Sequence, residues 1–141
     1  MKPEILTYIA NELKNIFKNG LESIVLFGSS AQGTYNENSD IDLLVIVSDI
    51  YDVDVSNLRK FFLLNFERKL DIHIFTKEEV VKNFEDFSPL FVTLLIGKSV
   101  LYDKNNFFKN KFEDFVKKMA HQNILYCNRG KIWEIAKIAR S

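Results

Sequence analysis

The sequence predicts a mixed α+β domain of α/β type, in which helices cover a sheet. Short apolar segments typical of strands alternate with longer segments whose apolar residues recur at helical spacing. The 141 residues are enough for one domain with its own hydrophobic core. No internal repeat, low-complexity tract or linker interrupts the alternation. We therefore expect a single domain over residues 1–141.

The first predicted elements are a helix and a buried strand. Apolar residues at helical spacing follow Pro3, and the helix is predicted to end at Gly20. The segment 23–27, SIVLF, is too apolar for an exposed sheet edge and is predicted to be an interior strand. Residues 28–33 are expected to form a turn, and 34–39 a polar loop.

The second and third predicted strands each carry carboxylates on one face. Side chains alternate between the two faces of a strand, so in the segment 40–47 Asp40 and Asp42 lie on the same face. In the segment 70–75 the same alternation places Asp71 at the start of one face. The acidic side chains of both strands therefore mark one end of an otherwise apolar sheet.

The remaining elements are predicted from helical spacing and from capping residues. Apolar residues at helical spacing predict a helix over 58–66. The sequence TKEE at 76–79 is a capping box that opens another helix, and the Ser-Pro pair at 88–89 opens a third. The segment 99–103 is predicted to be the last strand, and 105–141 a C-terminal helical extension.

Composition and charge disfavour several classes of function. Lys plus Arg and Asp plus Glu both number 19, so the net charge is zero and no basic surface for long DNA or RNA is expected. The opening segment lacks the apolar run of a signal peptide or membrane span, and the lone Cys127 cannot form an internal disulfide. We expect a cytoplasmic protein with no membrane partner.

The carboxylates predict a site for divalent metal ions. Asp40 and Asp42 project from one face of a strand with their backbones about 6–7 Å apart, which suits a shared metal site. Carboxylate oxygens are hard ligands that favour Mg²⁺ or Mn²⁺, and two such ions can assist both the attacking and the leaving oxygen of a displacement. Asp71 is the candidate third carboxylate, acting as a bridge or as a base.

The turn before the acidic strand fits the same interpretation. Gly28 allows close approach of a ligand to the backbone, and free amides at a helix start, with the Ser29 hydroxyl, can hold phosphate oxygens. Ser29 can alternatively serve as a helix cap. A nucleoside triphosphate with its metal would bridge the turn and the carboxylates.

Three other features have more than one interpretation. His73, on the Asp71 face, either orients a ligand or is a half-buried structural histidine. A second Asp-x-Asp pair, Asp52 and Asp54, lacks a preceding Gly-Ser turn and is predicted to lie in a solvated loop. The apolar residues at 132–139 are too many for a solvated tail, so they pack on their own domain or form a helical surface for another protein or a second copy.

These motifs carry a family resemblance. Gly28-Ser29, ten residues and then Asp40-Ile-Asp42 resemble the G-S-x₁₀-D-x-D signature of minimal nucleotidyltransferases, small members of the DNA polymerase β superfamily. The resemblance extends from Ser23 to about Phe75. It implies a polymerase β-like fold, with a mixed sheet that has helices on one face and the active site on the other, plus C-terminal helices.

The resemblance also implies roles for individual residues. The implied catalytic and metal-binding residues are Asp40, Asp42 and Asp71. The implied nucleotide-binding residues are Gly28, Ser29 and Ser39. The turn departs from the family pattern, because Ser30 and Gln32 stand where basic residues such as those of G-S-R-A-R-G are common. Phosphate binding by this turn is then weaker, or the basic residues that bind phosphate come from another part of the chain.

The implied activity is transfer of a nucleoside monophosphate, AMP from ATP, to a hydroxyl with two Mg²⁺ or Mn²⁺ ions. Stand-alone chains of this kind resemble the antitoxins of HEPN–MNT toxin–antitoxin pairs, so the implied acceptor is a tyrosine of a HEPN toxin. One alternative is a non-catalytic module that binds nucleotide or partner and acts by masking, which the altered turn favours. Another is a small-molecule acceptor, which usually requires a larger C-terminal domain.

Overall fold

A computed structural model of the protein describes residues 3–28, 40–49 and 54–122, and within these ranges the chain forms five α-helices and four strands. The helices are α1 (Pro3–Phe17), α2 (Ser56–Phe66), α3 (Lys77–Glu85), α4 (Pro89–Thr93) and α5 (Phe107–Gln122). The strands are β1 (Leu21–Phe27), β2 (Ile41–Val47), β3 (Leu70–Thr76) and β4 (Lys98–Asp103). The predicted mixture of α and β structure is confirmed.

The four strands form one mixed sheet with the order β3-β2-β1-β4. β1 is antiparallel to both β2 and β4, whereas β2 and β3 are parallel and are connected through α2. Every residue of β1 is buried, as its apolar sequence predicts for an interior strand. β2 is the second interior strand, and of the predicted acidic pair it contains Asp42, while Asp40 directly precedes it.

The alternation along β2 divides the hydrophobic core between the two faces of the sheet. Ile41, Leu43 and Val45 belong to a cluster that also contains Leu13 of α1 and Phe62 of α2. Because alternate residues point to opposite faces, their neighbours in β2 belong to a different cluster. The face predicted to oppose the acids is therefore the face covered by α1 and α2.

The acidic face of the sheet has a core of its own. Leu44 and Ile46 of β2 share a second cluster with phenylalanines of α3, α4 and α5, namely Phe84, Phe91, Phe108 and Phe115. The Phe84 and Phe91 rings meet edge to face with their centroids 4.8 Å apart. Helices thus cover this face beyond the acids, whereas Asp40 is exposed and Asp42 half-buried.

Local sequence signals set several of the element boundaries. The Thr76 side chain accepts from the Glu79 amide at 3.1 Å, and the Glu79 carboxylate accepts from the Thr76 amide at 3.0 Å, which confirms the predicted capping box. Pro89 is the first residue of α4, also as predicted. β1, β3 and β4 extend by one or two residues beyond their predicted bounds, whereas β2 begins one residue later than predicted, after Asp40; differences of this size are usual at element ends.

Several predictions concern residues outside the described ranges. These are the turn and loop over 29–39 and the part of the C-terminal extension beyond residue 122. The single-domain assignment over 1–141 likewise stays a prediction. Among the helices of the described ranges, none combines the length and the apolar character that a membrane crossing requires.

Candidate functional site

Asp42 and Asp71 are direct neighbours across two parallel strands. The register of β2 and β3 pairs these two residues. Adjacent strands lie about 4.8 Å apart, and residues paired in register point to the same face, so both carboxylates belong to one site. Asp40 precedes β2 by one residue and is exposed at the same end of the sheet. The structure therefore brings the three predicted aspartates to one end of one face.

The environment of Asp42 disfavours its negative charge. Burial raises the pKa of the Asp42 carboxyl above its ordinary value, and the charge of Asp71 raises it further. His73 acts in the opposite direction, Asp40 raises the pKa again, and Lys69 lowers it. Burial and the neighbouring carboxylates together therefore disfavour the charged form of Asp42. A bound cation would compensate the carboxylate charges.

Gly28 lies against the Asp42 carboxylate. β1 ends at Phe27, whose register partner is Asp42, so the next residue passes directly beside the acid. Gly28 has a φ of 76°, which L side chains rarely adopt, and a Cβ at this position would overlap the Asp42 Oδ2 atom and lie 3.3 Å from Cγ. Glycine is therefore favoured both by the backbone conformation and by the close approach to Asp42.

Sequence reasoning missed Lys69, which belongs to the site. Its Nζ atom lies 3.7 Å from Asp71 Oδ1, and the Lys69 side chain is 67% exposed. At this exposure the ion pair contributes little stability, so its importance is the position of the charge. The signal was present in the sequence, because Lys69 stands two residues before Asp71 and alternation places both on one face.

His73 and Asp54 occupy two different environments. The His73 ring lies on the Asp71 side of the sheet, with its centroid 5.6 Å from that of Phe27, and its charge acts on Asp42. Asp54 is exposed and accepts a 2.8 Å hydrogen bond from the Ser56 amide at the start of α2. Hydrogen bonding by the Ser56 side chain, together with this amide bond, lowers the pKa of Asp54. Asp54 is thus solvated, as predicted. Asp52 lies outside the described residues.

The donor chemistry of the site fits a hard divalent cation. In the part of the chain that the structure describes, no three side chains of His, Cys, Asp or Glu are already spaced to share a metal ion. Asp42 and Asp71 nevertheless supply carboxylate oxygens side by side, and the raised pKa of Asp42 reflects charge that a cation would offset. Ser29 and Ser39, the predicted phosphate contacts, lie outside the described residues.

Comparisons with known proteins identify relatives of the whole chain. A family model described as a nucleotidyltransferase domain matches residues 6–127. A relative from Methanocaldococcus jannaschii, named "putative protein adenylyltransferase", is 31% identical over 142 residues, which cover 98% of this chain and 97% of the relative. The similarity thus includes the strands that carry the aspartates and the helices that follow them.

Solved structures share the fold at low sequence identity. A toxin–antitoxin crystal structure with AMP-PNP has a TM-score of 0.57 at 18% identity, and the alignment covers 87% of this chain and 91% of that chain. A structure of a tri-AMPylated HEPN toxin from Shewanella oneidensis in complex with an MNT antitoxin has a TM-score of 0.53 at 15% identity, with coverage of 86% and 89%. These likenesses establish the fold alone.

Proposed function

The chain belongs to the nucleotidyltransferase domain family, and from this premise we propose that it is an antitoxin that transfers AMP from ATP to a tyrosine of a HEPN toxin. The observation that carries the catalytic part of the proposal is the register pairing of Asp42 with Asp71, with Gly28 packed against Asp42. The relatives named protein adenylyltransferase and the toxin–antitoxin complexes of the same fold support the acceptor class. We propose that the reaction takes place in the cytoplasm.

The proposed reaction is a single displacement at phosphorus. The acceptor hydroxyl oxygen forms a bond to the α-phosphorus of ATP, and the bond from that phosphorus to the bridging oxygen breaks, so pyrophosphate leaves. The hydroxyl proton must pass to a base. Asp71 is the candidate base, because its carboxylate is 34% exposed and stands on the outer side of Asp42.

Asp42, Asp71 and Asp40 would hold the divalent metal, which we propose to be two Mg²⁺ ions, with Mn²⁺ as a substitute. When bound, the metal supplies positive charge at the phosphoryl oxygens and at the attacking and leaving oxygens. Gly28 leaves the Asp42 carboxylate in place for the metal, since a side chain there would displace it. Ser29 and Ser39 are proposed to contact the phosphates.

Labelling of the partner tests the proposal. The chain is co-expressed with the protein encoded beside it and incubated with ATP labelled at the α-phosphate, with and without Mg²⁺. We expect magnesium-dependent label on a tyrosine of the partner. Asp42→Asn should reduce the rate at least about 100-fold, because even residues that only support metal ligands contribute about 10–100-fold.

Asp54→Asn is the matched control, because Asp54 belongs to a second Asp-x-Asp sequence and is itself exposed beside α2. It should label the partner at the rate of the wild type. If wild type and Asp42→Asn neutralise the partner equally and neither labels it, the masking alternative is correct and the catalytic proposal is wrong.

A further inference from the structure

A groove opens at the sheet edge beside Asp71, between α2 and the start of β3. Its volume is about 360 Å³. The residues that line it are Arg59, Lys60, Leu63, Lys69, Leu70 and Asp71. Because Asp71 is the register partner of Asp42, one end of the groove reaches the site of the proposed reaction.

The groove concentrates positive charge in a chain whose net charge is zero. Three cationic side chains, those of Arg59, Lys60 and Lys69, line it with one acid, Asp71. The Arg59 guanidinium is anchored, because Nη2 donates to the Ile72 carbonyl at 3.2 Å. Lys69 is held near Asp71 by a long ion pair. The local excess of positive charge favours a ligand that carries negative charge.

The order of the strands separates this groove from the predicted nucleotide-binding turn. β2 lies between β1 and β3, so Gly28 lies on the β1 side of Asp42 and the groove on the β3 side. Across two strand spacings these two sides are roughly 10 Å apart. Displacement at phosphorus needs the attacking and leaving oxygens in line, on opposite sides of the phosphorus. A triphosphate at the Gly28 side leaves the groove side to the acceptor.

We infer that this groove binds the acceptor polypeptide and selects a hydroxyl-bearing residue that is flanked by acidic side chains. The inference rests on the proposed function and names its acceptor specificity. Charge complementarity to Arg59, Lys60 and Lys69 accounts for the acidic flanks. Leu63, which is 59% exposed, supplies an apolar contact for the ring of an acceptor tyrosine.

The inference is tested with two fluorescein-labelled random copolymers, one of Glu and Tyr and one of Lys and Tyr, by fluorescence anisotropy at low salt. The wild type should bind the acidic copolymer at least about tenfold more tightly than the basic one, and added salt should reduce this preference. Lys60→Glu should weaken binding of the acidic copolymer about tenfold. Leu63→Ser should reduce the preference for the Glu–Tyr copolymer over polyglutamate.

The matched control is Lys82→Glu, which reverses the same charge at an exposed position of α3. It should change the affinity for either copolymer less than about twofold, since surface charges far from the ligand have small effects. Equal affinities of the wild type for both copolymers, or equal effects of Lys60→Glu and Lys82→Glu, would overturn the inference.

Titration with AMP-PNP and Mg²⁺ separates the acceptor from the triphosphate as the occupant. If Lys60→Glu weakens AMP-PNP binding and leaves copolymer binding unchanged, the groove holds phosphates and the inference is wrong. Failure of the proposed function is seen separately, as absence of magnesium-dependent AMP incorporation into the partner and the copolymers, because the binding measurements do not require turnover.

Discussion

Asp42 is the residue at which stability and chemistry conflict. It is half-buried, and two other aspartates stand close enough to disfavour its charge. A chain selected for stability alone would place an apolar or neutral side chain here, since a buried like charge costs free energy. The cost is explained if a cation binds these carboxylates during function.

Asp42→Asn is expected to raise the melting temperature of the metal-free protein at pH 7. Because the pKa of Asp42 is raised in the folded state, the folded protein holds this proton more tightly than the unfolded chain does. The free energy of unfolding therefore falls as the pH rises from the unfolded pKa through the folded pKa. Because asparagine does not ionise, the free energy of unfolding of the variant does not fall in this way. Calorimetry at pH 7 and at about pH 3, where the wild-type carboxyl is protonated, should show the difference only at pH 7.

Addition of Mg²⁺ gives the complementary measurement for Asp42→Asn. Mg²⁺ should raise the melting temperature of the wild type, because a ligand that binds the folded state stabilises it, and should raise that of the variant less. A variant that melts below the wild type at pH 7 without metal would contradict the electrostatic account.

Gly28→Ala is expected to destabilise the protein and to abolish most of the transferase activity. The alanine Cβ would overlap Asp42 Oδ2, and the φ of 76° is unfavourable for any L residue. Left-handed strain costs about 1–2 kcal/mol, and displacement of the carboxylate adds to that cost. A double-mutant cycle with Asp42→Ala separates the two terms.

In the Asp42→Ala background the clashing oxygen is gone, so Gly28→Ala should cost less free energy of unfolding than it does in the wild type. Urea denaturation of the four proteins measures this coupling. Equal costs in both backgrounds would show that the contact with Asp42 does not limit the residue at position 28.

Alternation along single strands made much of the site predictable. It placed Asp40 with Asp42, and Asp71 on the common face of its own strand, because side-chain direction depends only on position along the strand. It could not establish that Asp42 and Asp71 are in register, since pairing between strands depends on long-range contacts. The Arg59 anchor was also not predictable, because it joins a helix to the backbone of β3.

At the scale of elements, the interior strands were predictable and the sheet order was not. The apolar runs of β1 and β2 show burial on both faces, which requires interior positions. The placement of β4 beside β1 involves residues about 75 positions apart in the chain, and no local signal records it. The phenylalanines of α3 to α5 showed helical spacing. The face of the sheet that they cover could not be predicted, because it depends on the order of the strands.

Asp103 connects β4 to β1 and to the start of α5. Its carboxylate accepts from Ser23 Oγ of β1 at 2.7 Å and from the amides of Phe108 and Lys109 at 2.9 Å each, at the start of α5. Asp103→Ala should lower the free energy of unfolding by about 2 kcal/mol, because it removes a helix cap and a hydrogen bond between side chains. Urea denaturation measures the loss.

The control for Asp103 is Asp114→Ala on the exposed side of α5. This substitution removes the same side chain without a capping role, so it should change the free energy of unfolding by less than about 0.5 kcal/mol. If the two variants lost equal stability, the carboxylate of Asp103 would not be the connection between β1, β4 and α5.

At the scale of the whole molecule, the four-stranded sheet of the described residues lies between two hydrophobic cores, one on each face. The site lies at one end of the face that α3 to α5 cover. Phe62 lies in the core under α1 and α2, and Phe91 lies in the core under α3 to α5. Both side chains are fully buried. Because β1 and β2 contribute residues to both clusters, loss of packing on one face must weaken the support of the other. The two halves should therefore unfold together.

Phe62→Ala and Phe91→Ala test this cooperativity. Each should lower the free energy of unfolding by about 3–5 kcal/mol, the usual cost of removing a buried phenylalanine ring. Far-UV circular dichroism follows the helices, and fluorescence of Trp133, the single tryptophan of the chain, follows the segment after α5. If residues 1–141 form one domain, both signals should show one coincident transition in the wild type and in both variants. A fluorescence transition that stays in place while the circular dichroism transition shifts would show that the C-terminal segment is not part of the cooperative unit.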